Sequence, residues 1–311
     1  MKNSLINKVK RIIVNPRRIM MYIRYSLEKK GLLDRLSDET YLKFTYWTIL
    51  GKRLNLDNPR AFNEKLQWLK LNNRNSDYVK MVDKIEVKSF VAALIGEEHI
   101  IPTLGVWHRP EEIDFDMLPN QFVLKCNHNS GTGMYICKDK STINKEKVFN
   151  ELKRGLRQDY YMHVREWPYK NVERRIIAEK YMSDSNERDL KDYKVFTFNG
   201  HAHFIQVDYN RFTDHHRNFY SREWEYVPFT TCYPTNPQHQ IERPKCLTEL
   251  LNYAEILAHG AGDPPFLRVD FYIIKDQIYF GEMTFYHGSG MEKFYPPEYD
   301  EKLGKLIDID L

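Results

Sequence analysis

Residues 268–283 read RVDFYIIKDQIYFGEM: two runs with strand-like alternation, joined by Lys275-Asp276-Gln277. Residues two apart on a strand share a face. One face of the first run carries Arg268, Asp270, Tyr272 and Ile274; one face of the second carries Ile278, Phe280, Glu282 and Thr284. A three-residue loop sets Ile274 opposite Ile278, Tyr272 opposite Phe280, Asp270 opposite Glu282 and Arg268 opposite Thr284. A two-residue loop shifts that register by one, and no glycine fixes the turn. In the three-residue register the two carboxylates stand roughly 5 Å apart at Cβ. Like charges so placed need one acid protonated or a cation between them. Hard oxygen ligands on a hairpin suit Mg²⁺, which takes one or two carboxylates plus substrate phosphates. The plainer alternative is that Arg268 neutralises one acid and the other reaches solvent.

The rest of the chain frames this hairpin. Its 311 residues, 42% hydrophobic and 29% charged, are enough for a folded protein of two or three lobes. Cys126, Cys137, Cys232 and Cys246 are widely spaced with no C-x-x-C pair, which points to a reducing compartment rather than to disulfides or structural zinc. No apolar run reaches the roughly 20 residues of a membrane span, and no signal-peptide core is evident. These features place the protein in the cytoplasm. The net charge of +4 is uneven: residues 1–30 hold nine Lys/Arg against Glu28 alone, so the remainder is mildly acidic. A basic arm on an acidic body does not read as a nucleic-acid binder. In RRIMMYIRYSLEKKG apolar residues interleave with cations before Gly31, so the segment is either a helix docked on the body or an arm touching an anionic membrane at its inner face.

Residues 1–75 read as mostly helical, with ETYLKFTYWTILGKRL and AFNEKLQWLKL amphipathic and Asn58-Pro59 a turn between them. DKIEVKSFVAALI (83–95) and TELLNYAEILAHG read as further helices. QFVLKCN, GMYICKD, RIIAEKYM, DYKVFTFNG, HAHFIQVDYN, FLRVDFYII and QIYFGEM read as strands. The mixture indicates an α+β fold, with expected divisions at 1–75, 76–182 and 183–311.

Between two of those strands lies Asn127–Gly133. Its small polar residues and Gly131 and Gly133 can offer backbone N–H groups to an anion, with Lys125 at the mouth. It is not a P-loop, since the G-x-x-x-x-G-K-[ST] pattern and the following helix are both missing. Lys84 opens a helix after Asp83. Glu179-Lys180-Tyr181-Met182 ends a strand with acid, base and apolar groups suited to line an adenine slot.

The order of these pieces, a lysine at a helix, a lysine before a glycine loop, an E-K-aromatic-apolar hinge, then an R-x-D/E-x-T hairpin, resembles the ATP-grasp superfamily. AFNEKLQWLKL, MVDKIEVK, LPNQFVLKCNHNSG, DYKVFTFNG and YFGEMTFY carry a narrower resemblance to its TupA-like branch, found with polysaccharide biosynthesis; the likeness spans roughly residues 40–290. The resemblance implies two α+β lobes clasping ATP after a helical N-terminal segment. It implies that Lys84 and Lys125 contact ATP phosphates under a flap of Asn129, Ser130, Gly131, Thr132 and Gly133. Glu179, Lys180 and Met182 would surround adenine. Asp270 and Glu282 would hold one or two Mg²⁺, with Arg268 on the transferring phosphate and Lys194 pointing into the site. Arg211, Arg217 and Asn218 would grip an acidic substrate. Where relatives carry E-x-N this chain has Thr284, whose hydroxyl can coordinate or hold a metal-bound water. Where they carry Pro-Gly it has His287-Gly288-Ser289-Gly290, a candidate acceptor-side nest at Gly288 and Ser289.

The implied reaction is γ-phosphoryl transfer to a carboxylate, then attack by an amine on the acylphosphate to give an amide, ADP and phosphate. The implied substrates are an amino acid or other amine and a uronic acid of a cell-surface polysaccharide or its precursor. Two rivals remain: a sugar-nucleotide glycosyltransferase using Asp114-Phe115-Asp116 as a D-x-D metal motif, and a non-catalytic ATP-binding scaffold.

Overall fold

A computed structural model describes residues 16–184, 190–211 and 213–309. The four strands β1 (Thr103–Trp107), β2 (Phe122–Cys126), β3 (Met134–Cys137) and β4 (Ile176–Lys180) form a small antiparallel sheet ordered β1-β4-β2-β3. A larger antiparallel sheet, ordered β10-β9-β5-β6-β7-β8, contains β5 (Asp192–Phe198), β6 (His201–Tyr209), β7 (His216–Ser221), β8 (Tyr226–Val227), β9 (Leu267–Ile274) and β10 (Gln277–Thr284). The helices are α1 (Pro16–Lys29), α2 (Asp38–Leu50), α3 (Phe62–Asn72), α4 (Tyr78–Val82), α5 (Val87–Ile95), α6 (Lys145–Arg157), α7 (Tyr160–Val164), α8 (Leu247–Gly260) and α9 (Glu298–Gly304). Every strand segment expected from the alternation forms, and the architecture is α+β.

The β9–β10 hairpin differs from its expected register. Lys275 and Asp276 both adopt positive φ (52° and 63°), the pattern of a two-residue type I′ turn, so Ile274 pairs with Gln277 and not with Ile278. Carried along the ladder, that shift would turn Glu282 to the opposite face. A bulge at Gly281 absorbs the extra residue: Phe280 pairs with Phe271, and Glu282 then pairs with Asp270. Phe280 and Glu282, expected on one face, therefore lie on opposite faces. The hydrophobic effect explains the choice, because Ile278, Phe280 and Met283 are buried in the core while Glu282 stays on the polar side. A side chain at 281 would also press on the Asp270 carbonyl oxygen, 3.0 Å from a Cβ built there.

The apolar face of the large sheet (Val195, Ile205, Val207, Val269, Phe271) shares one core with Leu250, Ala254 and Leu257 of α8. Val87, Val91 and Ile95 of α5 and Tyr78, Met81 and Val82 of α4 join that core, so the apolar side chains of residues 78–95 belong to the large sheet, while Lys84 and Lys88 reach the small-sheet side. Phe122, Leu124, Ile176 and Ala178 of the small sheet pack on Val148 and Leu152 of α6. A third cluster (Leu33, Tyr41, Leu42, Tyr46, Leu54) holds the N-terminal helices. Buried Arg165 ties it to the body: Nη2 donates to the Leu33 carbonyl at 3.2 Å, Nη1 to Asp38 Oδ1 at 3.3 Å, and the guanidinium lies 4.7 Å from the Tyr41 ring centre.

Helix α1 ends as expected at Gly31 (φ 67°) and docks through Leu27, while Tyr22 and Tyr25 remain 65% and 63% exposed. Lys2, Lys8, Lys10 and Arg11 of the basic arm lie outside the described residues. Among the described residues no helix is long and apolar enough to cross a membrane.

Candidate active site

Cross-strand pairing lays a band of polar side chains over the second face of the large sheet. Asp270 on β9 is paired with Glu282 on β10 and with Lys194 on β5, and Lys194 with Gln206 on β6. One step along, Tyr272 pairs with Asp192, Asp192 with Asp208, and Asp208 with Arg217. A cavity of about 290 Å³ opens over this band. Lys84, Lys125, Asn129, Ser130, Gly131 and Thr132 close it from the small-sheet side; Asp192, Lys194, Arg211, Asp270, Tyr272 and Glu282 form its floor. An adjoining cavity of about 500 Å³ is lined by Val123, Ile136, Met182 and Leu190 with Lys125, Glu179 and Lys180. Lys125, Arg211 and Tyr272 border both.

The acids on the floor are neutralised by neighbours. Arg268 Nε donates to Asp270 Oδ1 at 2.6 Å, and Nη2 donates to Asp270 Oδ2 at 2.7 Å, to Glu282 Oε1 at 3.1 Å and to Thr284 Oγ1 at 3.1 Å. Lys194 Nζ donates to Asp270 Oδ2 at 2.6 Å and to Asp192 Oδ2 at 2.5 Å. Burial alone would raise the Asp270 carboxyl, but Arg268 and Lys194 outweigh it and hold it below the usual carboxylate range. Asp192 is different: burial dominates and holds its carboxyl above the usual range. The guanidinium thus bridges the acid pair: it neutralises Asp270, as in the plainer alternative, and also reaches the partly exposed Glu282.

Whether the residues also suit Mg²⁺ is a question of donors. Among the described residues no three His, Cys, Asp or Glu side chains converge to hold an ion. Mg²⁺ prefers a few carboxylates plus phosphate and water. Beside the acid pair, buried Asp192 Oδ1 has no hydrogen-bond partner among the described residues, an acceptor open to a cation or its water. Asp270 and Glu282 fit as ligands, with Thr284 beside them.

On the opposite wall, Lys84 lies in the turn leading into α5 and not on the helix expected over 83–95. Its Nζ donates to the Asn129 carbonyl at 2.7 Å, and burial holds the ammonium below the ordinary lysine range. Lys125 Nζ lies 2.5 Å from Glu179 Oε2, while Lys88 Nζ lies 2.7 Å from Glu179 Oε1. Burial would raise the Glu179 carboxyl, but the two lysines overcome it and lower it. In the flap, Gly131 (φ +77°) faces open space, whereas a Cβ on Gly133 (φ +70°) would meet Cys126 Sγ at 2.6 Å and Gly155 Cα at 2.8 Å. Gly133 is therefore a packing residue under the flap, and its N–H donates to Glu151 Oε1 at 2.8 Å.

Other expected site residues lie away from the cavities. Arg217 is buried, with Nε donating to Asp208 Oδ1 at 2.7 Å and Nη1 to Thr231 Oγ1 at 2.8 Å. Asn218 is fully buried: Nδ2 donates to the Asn236 and His239 carbonyls, and Oδ1 accepts from Thr235 Oγ1 and the Asn236 N–H. Its polar atoms hold a loop and are not turned to a substrate. Gly288 and Ser289 have φ of 53° and 55°, yet the Ser289 N–H donates to the Tyr286 carbonyl at 2.9 Å instead of forming an open nest. The Ser289 carbonyl and hydroxyl accept from buried Lys70 at 2.9 and 2.7 Å. Asp114 caps its own turn by accepting from the Asp116 N–H at 2.9 Å; both acids are exposed and neither lines these cavities.

Several participants carried a usable signal. Lys88 follows Lys84 by four residues, a spacing that shares a helical face, and Asp192 shares a strand face with Lys194. His287 and Glu292 had none, because their contacts depend on the irregular segment after β10.

The fold and this cavity define an ATP-grasp protein. A family model described as TupA-like ATPgrasp matches residues 64–308, and the chain belongs to that family. No curated protein matches the chain. Similar solved structures include the D-alanine–D-alanine ligase of Bacillus anthracis complexed with ATP, at 17% identity over 66% of this chain and 53% of that one, TM-score 0.39. The Helicobacter pylori D-alanine–D-alanine ligase is 14% identical over 79% and 69%, TM-score 0.40. A biotin carboxylase–β,γ-ATP complex from Campylobacter jejuni is 14% identical over 88% and 60%, TM-score 0.45. The chain spans about half the length of the Bacillus anthracis ligase.

Proposed function

We propose that the protein is an ATP-dependent carboxylate–amine ligase, joining an amino acid or similar amine to a uronic acid of a cell-surface polysaccharide or precursor. One observation carries the reading: a single cavity of about 290 Å³ has Lys84, Lys125 and the Asn129–Thr132 flap on one wall and the Asp270–Glu282 pair on the other. Cations and backbone amides facing a pair of acids suit a nucleoside triphosphate. The adjoining apolar slot beside Lys180 and Met182 suits its base. The uronic acid and the polysaccharide rest on the family resemblance alone.

In this reading Lys84 and Lys125 bind the phosphate oxygens and orient the γ-phosphate. Asp270 and Glu282 would hold Mg²⁺, which supplies neutralisation of phosphate charge. Arg268 and Lys194 provide fixed positive charge where the carboxylate attacks, and the flap excludes water that would hydrolyse the acylphosphate. Arg211 Nη1, 3.0 Å from Asp192 Oδ2, stands at the junction of the cavities and can meet an anionic acceptor. The site needs no enzyme nucleophile. Nothing in the surroundings of Asp114 and Asp116 favours the glycosyltransferase reading.

Hydroxylamine supplied with ATP, Mg²⁺ and uronic-acid oligosaccharides should yield a hydroxamate together with ADP. ATP turnover without hydroxamate across a panel of uronic acids would remove the acylphosphate step.

Lys84 adds a pH expectation. Anion binding favours the ammonium, whose pKa is depressed by burial, so Lys84 adds no pH dependence well below that depressed value and ATP affinity weakens as pH rises through it. The fall should begin below the ordinary lysine range of about 10.4 and disappear in Lys84→Met. Calorimetric titration with ATP at a series of pH values checks it; an affinity constant up to that range would remove Lys84 from the phosphate site.

A further inference from the structure

The segment after β10 places a histidine behind the arginine of the site. Arg268 Nη1 donates to His287 Nδ1 at 2.9 Å, and among the described residues this is the one partner of Nη1. The other two guanidinium nitrogens serve Asp270, Glu282 and Thr284. Arginine only donates, so Nδ1 must be unprotonated and the ring proton must sit on Nε2. Nε2 lies 3.2 Å from Glu292 Oε2, a close approach without hydrogen-bond alignment, and Arg217 Nη1 lies 3.6 Å from the same oxygen. His287 is 2% exposed and its ring packs 4.8 Å from that of Phe196. The result is a buried file from Glu292 through a neutral imidazole to Arg268.

We propose that His287, with Glu292 facing its Nε2, is a positioning residue that aims Arg268 for phosphoryl transfer. The inference rests on the ligase reading for what Arg268 does, and on the observed contacts for how it is held. Asp270 alone fixes the guanidinium along one edge. His287 fixes the remaining nitrogen from the far side and does so without a charge, so the positive charge of Arg268 stays directed at the site. Glu292 in direct contact would neutralise it, and a protonated imidazole would repel it. Burial disfavours that protonated form.

The test compares His287→Leu, His287→Asn and Glu292→Gln in the full chain, measuring kcat and KM for ATP by ADP release, ATP affinity by calorimetry and melting temperature. His287→Leu should lower kcat by about 30–100-fold with ATP affinity within about twofold. His287→Asn, which keeps an acceptor near the place of Nδ1, should regain at least about tenfold of that loss. Glu292→Gln removes the negative charge that faces the Nε2–H and should lower kcat by about 3–10-fold. Equal kcat in the Leu and Asn variants, or a loss confined to KM, would overturn the inference. If His287→Leu does not fold, the Asn and Gln variants decide in the same way, and wild-type kcat in both overturns it. Wild-type turnover is measured first; its failure counts against the ligase reading. The ring tautomer, read by ¹⁵N NMR of histidine-labelled protein, then decides separately, because a proton on Nδ1 would exclude the contact with Arg268.

Discussion

Glu282→Gln is expected to lower ADP release by about 10²–10³-fold while moving stability by no more than about 0.5 kcal/mol. The side chain of Glu282 is 40% exposed. Its Oε1 accepts from Arg268 Nη2, and an amide oxygen can take over that bond. Only the negative charge toward the cavity disappears, and with it one of two carboxylates able to hold a divalent ion. ATP should still bind through Lys84 and Lys125, so the loss belongs in kcat. Steady-state ADP release with a thermal melt provides the check. Turnover at the wild-type rate would remove Glu282 from the metal site.

Asp270→Asn should be more damaging in a different way. Both carboxylate oxygens are used, Oδ1 by Arg268 Nε and Oδ2 by Arg268 Nη2 and Lys194 Nζ, and the side chain is buried. An amide can accept through one oxygen only, and its NH₂ would face two cations. Removing one partner from a buried ion pair costs about 3–5 kcal/mol. Activity should vanish and the melting temperature should drop by about 6–12 °C. The two substitutions thus separate two roles within one acid pair. A variant at 270 melting like wild type would mean that Asp270 does not hold Arg268 and Lys194.

The parts of the site legible in the sequence were those built from consecutive residues. The flap Asn129–Thr132, the hinge Glu179–Met182 and the acids of the hairpin each sit within one strand or loop, where alternation and glycine placement report their neighbours directly. Asp270 stands opposite Glu282 as the three-residue loop would set it, but by another construction: the chain uses the alternative two-residue turn, and a bulge restores the pair. Strand β7 lacks apolar alternation because Arg217 and Asn218 give it a polar pattern, and its buried polar groups are satisfied by Asp208 and the 235–239 loop, which lie elsewhere in the chain. Helix α6 contains Gly155, a poor helix residue by propensity, retained where Gly133 packs against it. Contacts that join distant segments, such as Lys70 to Ser289 or Arg165 to Leu33, leave no periodic trace.

The displaced residue at Gly281 has a bearing on how this hairpin tolerates change in length. Because the irregularity sits between the ribbon's tip and its acids, an insertion at the tip can be cancelled by a deletion at 281, and the reverse also holds. Natural variants of this ribbon should therefore carry gaps in matched pairs on either side of Phe280, while the spacing from Arg268 to Asp270 and from Glu282 to Thr284 stays unaltered.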